Sequence, residues 1–123
     1  MNRLPLQKRV QIIGCLTEGM SIRGTTRVVG CSKNTVAKLL AEVGEACQWH
    51  HDEHVRGLKS ERIQVDEIWS FTYAKQKNVA AAKRQDMAYG DTWTWTALDA
   101  DSKLIAAWLV GGRDSDYASA FIN

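Results

Sequence analysis

Three groups of side chains in this sequence have types and spacings that suit chemistry. The first is a pair of adjacent carboxylates, Asp66 and Glu67, at the centre of the apolar, β-prone run IQVDEIWSF. Burying an ionised carboxylate without a partner costs roughly several kcal/mol even after relaxation, so a strand that only filled a core would avoid both. Successive strand side chains point to opposite sides. Asp66 therefore shares a side with Gln64, Ile68 and Ser70, and Glu67 shares the other with Val65, Trp69 and Phe71. Spacing alone leaves open which acid is functional, and either could equally pair with Lys or Arg across a sheet.

The second group is Lys33, Asn34, Thr35 and Lys38, with no acid between the two lysines, just after the tract VVGCS. Asn can pair bidentately with adenine, and Lys can reach guanine or phosphate. Arg23 and Arg27 precede them and suit backbone phosphates. The alternative is a plain helical bundle whose cations only solvate it. The third group is His50, His51 and His54, close after Cys47, which invites a metal reading. With no second nearby cysteine and with charged neighbours, this stretch reads instead as a solvated linker. Cys15, Cys31 and Cys47 are odd in number and widely spaced, and read as reduced, small buried side chains.

These residues need elements to hold them. From Pro5 to Glu18, Leu6, Val10, Ile13 and Leu16 recur at helical spacing with Ile12 flanking, and Gly19 suits the exit. Ser21 is an N-cap candidate for a short helix ending at Gly30. Ser32 caps a third, SKNTVAKLLAEVGEAC, striped by Val36, Leu39, Leu40 and Val43. A tight glycine-containing turn between the last two is the pattern of a helix-turn-helix, whose second helix presents its N-terminal residues to the major groove.

After residues 48–62, read as a linker, the character becomes β. IQVDEIWSFTYAK is a strand, residues 75–91 a polar loop with a short helical piece, and TWTWTAL and KLIAAWLVG form a hairpin around Asp99-Ala100-Asp101-Ser102. A last helix starts at Asp114 or Ser115, with Tyr117, Ala118, Phe121 and Ile122 as its apolar face. Trp93, Trp95 and Trp108 in the hairpin call for cover. Partial exposure or packing against another chain, as in a homo-oligomer, would follow without it.

The 123 residues, 45% hydrophobic, suit one domain or two small ones. The net charge of +2 is unevenly spread: residues 1–62 carry ten Lys or Arg against six acids, and residues 63–123 six against eight. A basic first part suits a polyanion, and an acidic second part could hold a cation. No apolar run nears the roughly 20 residues of a membrane span, and MNRLPLQKRVQ lacks a signal-peptide core. A soluble, cytoplasmic protein is expected.

In combination, SKNTVAKLL, IQVDEIWSFTYAK, YGDTWTWTALDADSKLI and AAWLVGGRDSD resemble the DDE-type transposases of bacterial insertion sequences, specifically the insertion-sequence-one-like group. The likeness runs through almost the whole chain. It implies an α+β protein: a three-helix helix-turn-helix DNA-binding domain over 1–47, a linker over 48–62, and over 63–123 an incomplete ribonuclease H-like (αβα, integrase-type) domain beginning with three antiparallel strands. The resemblance maps the first catalytic, metal-binding acid onto Asp66. The family's second aspartate, in a Thr-Asp-Gly tract, and its third acid have no counterpart here. Cleavage and strand transfer are in-line displacements served by two Mg²⁺ held by clustered carboxylates. Mg²⁺ is thus implied for the complete site and not for this chain alone, which is expected to be inactive by itself. The implied partner is double-stranded DNA at transposon ends, near the nucleoid, with no membrane and no small-molecule substrate. A non-catalytic DNA-binding regulator of the element is the alternative.

Overall fold

A computed structural model describes residues 3–86 and 88–123, and these fall into two compact units, up to Arg56 and from Gly57 onward. The coarse class is α+β, with helices in the first unit and a three-stranded antiparallel sheet in the second.

In the first unit, α1 spans Leu6–Thr17, α2 Ile22–Val29 and α3 Lys33–His54. Local chemistry sets the boundaries. The Ser21 hydroxyl accepts from Gly24 N at 3.0 Å, and Ser32 Oγ from Thr35 N at 3.2 Å, each satisfying a backbone donor that the first helical turn leaves free. Gly19 and Gly30 leave α1 and α2 at φ 82° and 72°, left-handed values that cost glycine little. The core is small: Ile12 and Val36 are fully buried and Leu39 nearly so, ringed by Leu4, Ile13, Leu16, Val29, Cys31 and Val43. The buried Thr25 hydroxyl donates to Ser21 O at 3.0 Å and so carries no orphaned polar group inward.

Several expectations change here. The stripe of α1 is rotated: Ile12, Ile13 and Leu16 face the core, whereas Leu6 and Val10 are about two-thirds exposed. Leu40 on α3 is also exposed. Apolar periodicity reported a helix correctly but not which of two overlapping stripes meets a partner. Residues 48–54, expected as linker, continue α3 by two turns. Carbonyls at its end are occupied locally. His54 Nδ1 lies 2.9 Å from His50 O, Val55 N donates to His51 O at 2.8 Å, and Arg56 Nε donates to Asp52 O. Such bonds meet the acceptors that a helix C-terminus leaves free. Cys15 and Cys31 are half-buried, but Cys47 is exposed, contrary to the expectation for it.

In the second unit, β1 spans Ile63–Thr72, β2 Gly90–Asp99, β3 Ile105–Gly111 and α4 Ser115–Ile122. The sheet order is β1-β2-β3. Pairing of β1 with β2 is continuous from Ile63 opposite Asp99 to Thr72 opposite Gly90. A register shift at Ala97/Leu98 leaves Ala106 without an opposite residue on β2. Two short 3-10 turns, Gln76–Asn78 and Ala81–Lys83, lie in the β1–β2 connection. Gln76 and Asp91 bond each other's backbone N–H reciprocally, at 3.0 and 3.2 Å. Gly90, at φ 99°, is needed there, because a Cβ would stand 1.9 Å from Gln76 Oε1.

Asp99 organises the β2–β3 turn, as its sequence context suggested. Its carboxylate accepts from Ser102 Oγ at 2.5 Å and from Asp101 N at 3.3 Å. The Ser102 bond is the main cause holding its carboxyl below the usual aspartate value. A folded-state value below the unfolded one means the turn's contribution is present above the ordinary aspartate range and is lost as pH falls through the folded value. Ser102→Ala should move the Asp99 midpoint upward, as followed by carboxyl-carbon NMR shifts. An unmoved midpoint would count against that bond.

Asp114, not Ser115, caps α4, its Oδ1 accepting from Asp116 N at 3.0 Å and Tyr117 N at 3.1 Å. The helix lies on one face of the sheet. Trp95 is 8% exposed, its ring centroid 6.0 Å from that of Phe121, and its Nε1 donates to Gly112 O at 2.9 Å. Tyr117 lies so close to Gly111 that a Cβ there would come within 2.1 Å of its ring. Cover for Trp95 is therefore present, while Trp108 on the other face stays 40% exposed. Among the described residues, no helix is long and apolar enough to cross a membrane.

Candidate nucleic-acid interface

Lys33 and Asn34 occupy the exposed first turn of α3, directly after the Ser32 cap. This turn contains no acidic residue, so the partial positive charge of the helix N-terminus adds to the lysine charge. Asn34 and Lys38, four residues apart, share a helix face. Lys38 also approaches exposed Glu42 at 4.0 Å, a surface pair of little energetic weight that leaves the ammonium free to exchange partners. Thr35 is different. It is half-buried, and its hydroxyl lies 2.9 Å from Ser32 Oγ, so it supports the cap rather than offering a free group at the surface. Arg23 and Arg27, again four apart, are exposed on α2.

The two acids of β1 separate as alternation requires, with an unexpected division of environments. Glu67 lies opposite Trp95 and therefore on the face that carries α4. Its side chain is 28% exposed and 3.4 Å from Arg113 Nε. The Arg113 guanidinium in turn lies 4.7 Å from the centre of the Trp93 ring. Glu67, the more enclosed acid, is thus compensated by an ion pair backed by a cation–π contact. Asp66 lies opposite Thr96, on the face away from α4, and is exposed. The acid to which the resemblance assigns the metal faces solvent, and its Oδ1 accepts from its neighbour's backbone, Glu67 N, at 2.8 Å.

Two catalytic Mg²⁺ ions would need several converging carboxylates. Among the described residues, no group of three or more His, Cys, Asp or Glu side chains is arranged to hold a metal ion. Asp66 can offer one carboxylate, so the donors here do not fit a two-metal centre. The Glu67–Arg113–Trp93 stack escaped sequence reasoning, because its members lie on three different strands or their ends. The only available signal was the Arg following Gly111-Gly112 at the close of β3.

No protein-family model matches the sequence, and no curated protein and no solved structure matches it.

Proposed function

We propose that this chain binds double-stranded DNA through α2 and α3, as the DNA-holding part of an insertion-sequence transposase. The observation that carries the reading is the Ser32-capped start of α3, where Lys33 and Asn34 are exposed without an acid in the turn. In this reading α2–turn–α3 is a helix-turn-helix. Asn34 reads base edges, and Lys33, Lys38, Arg23 and Arg27 grip phosphates. Thr35 contributes by fixing the cap. The second unit is the opening portion of a ribonuclease H-like domain, with Asp66 as the first of the acids that a complete enzyme would use with Mg²⁺ for strand cleavage and transfer.

A non-catalytic regulator that occupies the element's ends is the second reading. It is favoured by the single carboxylate that Asp66 offers and by its engagement with the adjacent backbone.

Fluorescence anisotropy with a labelled duplex tests the binding. Four phosphate-facing cations, Arg23, Arg27, Lys33 and Lys38, give an expected log–log salt slope of about −3.6, hence an affinity loss on the order of a hundredfold between roughly 50 and 200 mM salt. Lys33→Ala should reduce that slope by about one, and Asn34→Ala should relax sequence preference with the slope unchanged. Asp66→Asn should leave affinity as it is. Salt-independent binding, or indifference to Lys33, Asn34 and Arg23 alike, would remove the assignment.

A further inference from the structure

The continuation of α3 through His54 places His50 and His54 four residues apart on one helix face, both exposed. Their rings stack, with centroids 4.2 Å apart and planes inclined by 21°. His54 Nδ1 is 2.9 Å from the carbonyl oxygen of His50. A carbonyl only accepts, so Nδ1 carries the proton in that bond and Nε2 is left with its lone pair. An imidazole whose first nitrogen is anchored to a backbone carbonyl and whose second is a free donor is the arrangement metal-binding histidines adopt.

We propose that His50 and His54 chelate a divalent transition-metal ion of the kind imidazole prefers, Zn²⁺, Ni²⁺ or Cu²⁺. Metal–nitrogen bonds of about 2.0–2.1 Å require the two donor atoms to stand roughly 3 Å apart. The stacked rings, 4.2 Å apart and inclined by 21°, run their in-plane lone pairs side by side, so chelation requires the exposed His50 ring to turn about its side-chain torsions while His54 keeps its bond to the His50 carbonyl. Hard cations such as Mg²⁺ and Ca²⁺ prefer oxygen ligands and are excluded by this donor pair. No third His, Cys, Asp or Glu among the described residues joins it in a metal-holding group, so water fills the ion's remaining positions. The site is independent of the DNA-binding reading. Its effect is mechanical: the ion ties the final turn of α3 to the turn before it.

Trp49 adjoins His50 and is the one tryptophan among residues 1–56, the others being Trp69, Trp93, Trp95 and Trp108. Paramagnetic Ni²⁺ held at the pair should quench its emission. Titration of the full chain with Ni²⁺ should give saturable partial quenching that Zn²⁺ reverses by competition and Mg²⁺ does not. The signal should disappear in Trp49→Phe. His50→Ala and His54→Ala should each weaken binding about tenfold or more, since each removes a donor held at high effective concentration beside the other. His50→Gln should match His50→Ala, and Cys47→Ser should bind like the parent. Far-ultraviolet circular dichroism checks that each variant keeps its helix. Parent-like titration in the helical His50 variants, quenching that survives Trp49→Phe, or competition by Mg²⁺ would overturn the proposal.

Discussion

Ile12→Ala should leave the N-terminal unit largely unfolded at 25 °C. Removing a fully buried isoleucine costs about 2–5 kcal/mol, through lost transfer energy and the cavity left behind. A unit of this size rarely has more than about 3–5 kcal/mol in total. Ile12, Val36 and Leu39 are its buried core, and among the described residues of the unit no second cluster takes up the loss. Helical circular dichroism at 222 nm should fall sharply, and the proposed DNA binding should fall with the folded fraction. Val10→Ala, on the stripe that helical spacing suggested but exposed in the fold, should stay within about 0.5 kcal/mol of the parent. Equal damage from the two substitutions would show that α1 packs on the stripe that its periodicity suggested.

The second large effect is expected at Trp95. Its side chain joins β2 to α4 through the Phe121 ring contact and ties β2 to the segment after β3 through the bond to Gly112 O. Trp95→Ala should destabilise the second unit by about 3–5 kcal/mol. Amide exchange in Ser115–Ile122 should then approach that of an unstructured segment. Trp95→Phe keeps most of the apolar contact and leaves the Gly112 carbonyl unpaired, so it should cost about 1–3 kcal/mol. Trp108→Ala, on the more exposed face, should cost less than Trp95→Ala. A Trp108 variant as damaging as the Trp95 variant would mean that the opposite face, not the α4 face, holds the unit together.

The parts of this fold legible in the sequence are those set by short-range chemistry. Ser21, Ser32 and Asp114 act as caps, Asp99 closes its turn, and IQVDEIWSF, TWTWTAL and KLIAAWLVG become strands, because each outcome depends on neighbours within a few residues. What failed depends on distant partners or on a silent signal. The orientation of α1 is decided by α3, which periodicity within α1 does not report. Gln48–His54 is polar throughout apart from Trp49, so it lacks an apolar stripe, although its backbone and the side chains of His54 and Arg56 complete the helix. Adjacent acids in a strand are distinguishable only once the position of α4 and of Arg113 is known. Lys33, Asn34, Lys38, Arg23 and Arg27 lie exposed on their helices, and Thr35 is drawn into the cap.

The length of α3 has a further consequence. Val43 is its last residue packed against the core, and Gly44 follows, a residue that weakens a helix interior by about 1 kcal/mol relative to alanine. Beyond Val43, local bonds at the end of α3 hold its last carbonyls. A residue in a helix advances the chain by about 1.5 Å and an extended one by about 3.3 Å or more, so each residue that unwinds from the end lengthens the tether to the second unit by roughly 2 Å.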